Sequence, residues 1–161
     1  MNLVLLALGI LIPVATGYPN GAPCGSGGSP PFTTGHGIQD YEFRTGNYNF
    51  NLASSSSVAP GGTLSFSIND QGGIGGMGIL IAVVDQYDRT EGTFISMSSG
   101  LKTESCGNGN FLTQSFKKSF SFPVSATWAA PQNSGYYKLK ATVVIDFNTA
   151  YLLPAQSITV Q

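Results

Sequence analysis

The stretch that decides the fold is residues 119–147, SFSFPVSATWAAPQNSGYYKLKATVVIDF. In its first half Phe120, Phe122, Val124, Ala126 and Trp128 occupy every second position, and in its second half Leu139, Ala141, Val143, Ile145 and Phe147 do the same. A period of two places alternate side chains on one face, so each half reads as a strand with one face in a core. Between them AAPQNSG carries Pro131, Asn133 and Gly135, which suit a fixed φ, a local side-chain hydrogen bond and a positive φ, so the chain breaks there. The expectation is two core strands flanking a loop.

Further strands follow working outward. TLSFSIND (63–70) alternates Leu64, Phe66 and Ile68 with polar residues and reads as a half-buried strand. Gly78 to Asp85, GILIAVVD, is a continuous apolar run rich in β-branched residues and short for a helix, as expected of a central strand buried on both faces. Gly92 to Met97 and the end of the chain around Ile158 to Val160 add shorter strands, and LKTESC (101–106) leads to the second cysteine. YEFRTGNYNFNL (41–52) reads as a bent edge strand or a hairpin about Gly46, and GNGN (107–110) as a turn. The sum is an all-β, immunoglobulin-like antiparallel β-sandwich of about seven to nine strands. An antibody-type core is disfavoured, because Trp128 follows both cysteines rather than lying between them.

The chain has 161 residues, of which 9% are charged, for a formal net charge of −1. Binding to nucleic acid through charge needs a basic patch, and the one close basic pair is Lys117 and Lys118, so nucleic acid is not an expected partner. The first residues, NLVLLALGILIPVATG, are apolar and uncharged and end in small residues. Pro13 and the turn-rich YPNGAP that follows favour a signal peptide over residues 1–17 against a membrane anchor, leaving a secreted domain over 18–161 with no stable anchor. In an oxidising compartment the two cysteines, Cys24 and Cys106, are expected to form one disulfide. It would tie the Gly- and Pro-rich segment 18–37 to the middle of the domain.

No constellation of residues specifies catalysis, a metal site or a cofactor. His36, the sole histidine, sits between two glycines with no G-x-S-x-G elbow elsewhere, and reads as a structural hydrogen-bonding residue. QGGIGGMG (71–78) lacks the Lys-Ser/Thr pair and following helix of a phosphate-binding loop. Asp85, Asp88 and Glu91 are spaced by three but lack the ligand density of a calcium loop, and with Arg89 among them read as a solvated, charged loop. The aromatics offer more. Tyr48, Phe50, Tyr136, Tyr137 and Tyr151 include rings that either cover core edges or face outward, where a tyrosine can stack on a sugar and hydrogen-bond to it. The candidate ligand surface is His36, Tyr48, Phe50, Tyr136 and Tyr137.

YPNGAP with Cys24, Gly-His-Gly at 35–37, GGMGILIAV followed by EGTF, LKTESC, TWAAP, YYKLKATVV and AYLLP resemble, in order, the landmarks of the reeler domain. That domain occurs at the N-terminus of reelin, in ferric-chelate-reductase-like membrane proteins and in small secreted insect defence proteins. The resemblance implies a secreted, disulfide-containing β-sandwich of the stand-alone defence type. Its implied role is non-enzymatic binding of microbial surface polysaccharide or lipid in innate immunity, with an extracellular matrix or adhesive role as the alternative. The family's usual Thr-His-Ser after the second cysteine is Thr113-Gln114-Ser115 here, so no role for that histidine carries over, and its usual Gly-Phe before the central strand is Met77-Gly78.

Overall fold

The computed structural model describes residues 21–32, 42–53, 56–115, 118–146 and 148–161. The signal-peptide reading of residues 1–17 and the placement of His36 lie outside them. Among the described residues no helix is long and apolar enough to cross a membrane.

The described residues are all-β apart from a short 3₁₀ turn at Ser26–Gly28. Its strands are β1 (Glu42–Arg44), β2 (Tyr48–Leu52), β3 (Ser57–Val58), β4 (Thr63–Asp70), β5 (Gly78–Val84) and β6 (Glu91–Met97). They continue with β7 (Leu101–Cys106), β8 (Asn108–Gln114), β9 (Val124–Ala129), β10 (Gly135–Val144), β11 (Thr149–Leu152) and β12 (Gln156–Val160). All join in one curled sheet whose longest path runs β1-β11-β10-β5-β8-β6-β9-β4-β2. One arm is built on β10 and β5, the other on β9 and β4, and β6 links them by pairing with both β8 and β9.

The expectation of a purely antiparallel sandwich of seven to nine strands needs correction. There are twelve strands among the described residues, and β1–β11, β3–β12 and β6–β8 pair in parallel. The extra strands, β1, β3 and β11, are short pieces of two to four residues, whose pairing is set by tertiary contacts and leaves no alternation to read.

The deciding stretch supplies one strand to each arm. In β9, Val124, Ala126 and Trp128 are buried, and in β10, Tyr137, Leu139, Ala141 and Val143. The strand begins at Val124 and not at Phe120, because Pro123 has no N–H to give a ladder; Phe120 and Phe122 still pack against the core as loop residues. Side chains from both arms meet in one cluster: Leu64, Phe66, Ile68, Val124 and Trp128 against Ile79, Ile81, Val83, Leu139 and Val143. Trp128 is fully buried and its Nε1 donates to the Glu91 carbonyl at 2.9 Å.

β5 is buried along its whole length, as its unbroken apolar run requires. Its odd-numbered residues enter the main core; Leu80, Ala82 and Val84 enter a second cluster with Phe32, Phe111 and Cys106. The N-terminal segment 21–32 covers that second face. It is held by the Cys24–Cys106 disulfide, with Cα atoms 5.4 Å apart. Three long-range hydrogen bonds add to this: Ala22 N to Thr113 Oγ1, Thr90 N to the Gly28 carbonyl, and Thr142 Oγ1 to the Phe32 carbonyl.

Two local readings also change. β1 and β2 are not a hairpin, because the chain crosses between arms at Gly46, where φ is 111°. Of GNGN only Gly107 turns; Asn108 to Asn110 open β8, where Gly109 lies so close to the Gly92 carbonyl that a Cβ would collide with it.

Candidate functional site

Of the candidate residues His36 lies outside the described residues, and the other four do not share one surface. Tyr48 is a core residue, 3% exposed; it stands on the inward register of β2, with its ring 5.2 Å from those of Phe122 and Tyr151. Its hydroxyl donates to the Gly75 carbonyl, and burial, with the charge of Asp70 and the nearby Tyr151, pushes its pKa up to about 12. Phe50 is half-buried and packs edge-on against Phe66. Tyr137 is buried beside Trp128, its hydroxyl donating to the Asn133 carbonyl, and burial raises its pKa. Tyr48 and Tyr137 therefore leave the list of surface rings. Tyr136 stays on it: one step out of phase with Tyr137 on β10, it is 84% exposed.

Tyr136 has a partner that the sequence reading passed over. The β5–β6 connection, Asp85 to Thr90, folds back so that Val84 bridges Thr90. Asp85 organises the turn. Its Oδ1 accepts from the Tyr87 and Arg89 backbone N–H groups at 2.8 and 3.0 Å, and its Oδ2 from Arg89 Nε and Nη2 at 2.9 and 2.6 Å. Partial burial pulls the Asp85 carboxyl up, but the Arg89 side chain and these backbone donors together hold it below its ordinary value. With its own acid engaged, Arg89 lies over the Tyr87 ring, 5.1 Å from the centroid, and Tyr87 stands 67% exposed.

Tyr87 and Tyr136 thereby flank an open groove of about 440 Å³. Gln86 and Arg89 line it from the loop, Glu91 from the start of β6, and Lys138 and Ser157 from β10 and β12. Two aromatic faces with amide, guanidinium, carboxylate, ammonium and hydroxyl groups between them can stack on a ring and hydrogen-bond around its rim. An aromatic inside the hydrophilic loop DQYDRTE was the signal for Tyr87, since no core alternation claims it.

The carboxylates of this loop are occupied separately. Asp88 pairs with Lys140 Nζ at 3.1 Å, and Glu91 accepts from Asn108 Nδ2 at 2.7 Å. Among the described residues no group of three His, Cys, Asp or Glu side chains is placed to hold a metal ion.

Comparison with known proteins places the architecture. No family model matches the chain, and no curated protein does. Solved structures do. The human F-spondin reeler domain superposes with a TM-score of 0.59 at 16% identity, over 75% of this chain and 95% of that one. A second fragment of it gives 0.57 at 15%, over 74% and 96%. The Reelin-N domain of F-spondin gives 0.60 at 17%, over 75% and 92%. The fold is that of a reeler domain, as the sequence landmarks imply.

Proposed function

We infer that this protein is an extracellular, non-enzymatic binding domain, of the immunoglobulin-like sandwich type in the broad sense, that recognises sugar-bearing components of microbial surfaces in defence. The observation that carries the reading is the groove between Tyr87 and Tyr136, the two most exposed large aromatic side chains among the described residues. The Cys24–Cys106 disulfide fits an oxidising, extracytoplasmic setting. The likeness to reeler domains of F-spondin supports an extracellular role.

An aromatic ring costs free energy to leave in water, and two of them beside hydrogen-bonding groups form a platform complementary to a pyranose, which has apolar faces and a polar rim. The groove is open, so a chain of sugars can pass through it. The test is a pull-down of the secreted protein on lipopolysaccharide, β-glucan and whole bacteria. Retention on at least one supports the reading. No retention on any, with accumulation of the protein in extracellular matrix, transfers the assignment to an adhesive or matrix role.

A further inference from the structure

A second surface, independent of the tyrosine groove, lies at the β4–β5 connection. Its sequence from Gln71 to Met77 is Gln-Gly-Gly-Ile-Gly-Gly-Met, and it presents Ile74, 46% exposed, and Met77, 56% exposed. Large apolar side chains exposed three residues apart are not explained by the core they leave. The loop's own acidic neighbour is turned inward: Asp70 accepts the N–H groups of Gly72 at 3.1 Å and Gly75 at 2.6 Å. Burial pulls that carboxyl up, but the N–H groups of Gly75, Ile74, Gly72 and Gly73 together bring it below its ordinary value, so it is an anion already committed to the loop backbone.

The foot of the loop is packed. A Cβ on Gly76 would sit 3.0 Å from Val143 and 3.5 Å from Phe120, so the chain there lies against the core. Beside it an open groove of about 380 Å³ is lined by Met77, Phe120, Gln114, Ser115 and Lys118. Among the described residues Lys118 is the one charged side chain in that lining. The surface thus combines an apolar tip, an apolar wall and a cation, with its carboxylate internally satisfied.

We propose that this loop docks the protein onto an anionic lipid surface, with Ile74 and Met77 entering the headgroup–acyl boundary and Lys118 meeting a lipid phosphate. The charge argues for that occupant: in a zwitterionic layer each phosphate is offset by its own choline, whereas anionic headgroups leave a net negative surface that attracts Lys118 while the tip is desolvated. Two partly exposed apolar side chains and one lysine give a weak, reversible contact.

The experiment is co-sedimentation of the protein, collected from the medium of cells expressing the full chain, with vesicles of phosphatidylcholine alone or mixed with phosphatidylglycerol. Binding is expected on the mixed vesicles, weaker on the neutral ones, and reduced by salt. Ile74→Ser with Met77→Ser should lower the partition coefficient about tenfold or more. Lys118→Ala should lower it about fivefold on anionic vesicles and leave neutral ones unchanged. Both apolar side chains are exposed, so an unchanged thermal transition is the folding control. Tyr87→Ala with Tyr136→Ala should leave vesicle binding intact, which separates this surface from the sugar groove. Equal partition of wild type and the Ile74/Met77 variant, or indifference to headgroup charge, overturns the proposal. So does self-association that disappears in that variant, which would make the occupant a second copy of the chain.

Discussion

Replacing Cys24 by Ser and Cys106 by Ala together removes the cross-link without leaving a free thiol. The disulfide closes a loop with a sequence separation of 82. On the chain-entropy relation a loop of that length constrains the unfolded chain by about 4.5 kcal/mol at room temperature. Against the 5–15 kcal/mol typical of a domain this is about a third or more of the total, and it corresponds to a fall in Tm of roughly 10–20 °C. The folded side contributes differently. Segment 21–32 keeps its hydrogen bonds through Ala22, Gly28 and Phe32, and Phe32 stays buried against Leu80, Ala82 and Val84, so the native state should persist. Urea unfolding followed by Trp128 fluorescence measures the loss, and amide exchange at Thr90 reports whether the segment has lifted, since that N–H donates to the Gly28 carbonyl. A loss below about 1 kcal/mol, with Thr90 still protected, would refute the reasoning. The cross-link would then add nothing that the segment's other contacts do not already supply.

Trp128→Phe removes the donor to the partly buried Glu91 carbonyl and leaves space where the indole sat, so denaturant unfolding should show a loss of about 2–4 kcal/mol. Tyr48 has a folded pKa raised from 10.0 to about 12, so its neutral form is the one the fold favours; stability should be fully present below pH 10 and fall between pH 10 and about 12. Chemical unfolding across that range should show a shallower slope in Tyr48→Phe, with a part remaining because burial raises Tyr137 as well. Asp85 is shifted the opposite way. Its contribution is present above the ordinary carboxylate pKa and is lost as pH falls through the lowered folded value, so Asp85→Asn should flatten the acid limb of the stability profile.

Much of this architecture is legible in the residues because burial on one face imposes a period of two. Leu64, Phe66 and Ile68 in β4, and Leu139, Ala141 and Val143 in β10, are buried as their spacing requires, and β5 is buried on both faces as its unbroken run requires. The same phase, extended back along β10, separates Tyr137 from Tyr136: the residue two before Leu139 must point inward, and its neighbour must point out. Tyr48 was open to misreading because β2 is short and sits beside Gly46, where the chain changes arm and the phase is reset. The parallel pairings of β1, β3 and β6 are set by long-range contacts that leave no local pattern. The groove depends on a turn held by Asp85 and Arg89, so its second wall, Tyr87, becomes a site residue only once the turn has brought it beside β10.

The most direct test of the central reading is the affinity of the protein for a soluble fragment of whichever microbial glycan retains it, measured calorimetrically beside Tyr87→Ala with Tyr136→Ala. Both rings are exposed, so the variant should melt with the wild type. The groove account predicts a loss of affinity of about tenfold or more, since each ring supplies stacking area that no neighbouring side chain replaces. Unchanged affinity in a variant that folds normally would contradict it and move the binding surface elsewhere on the domain.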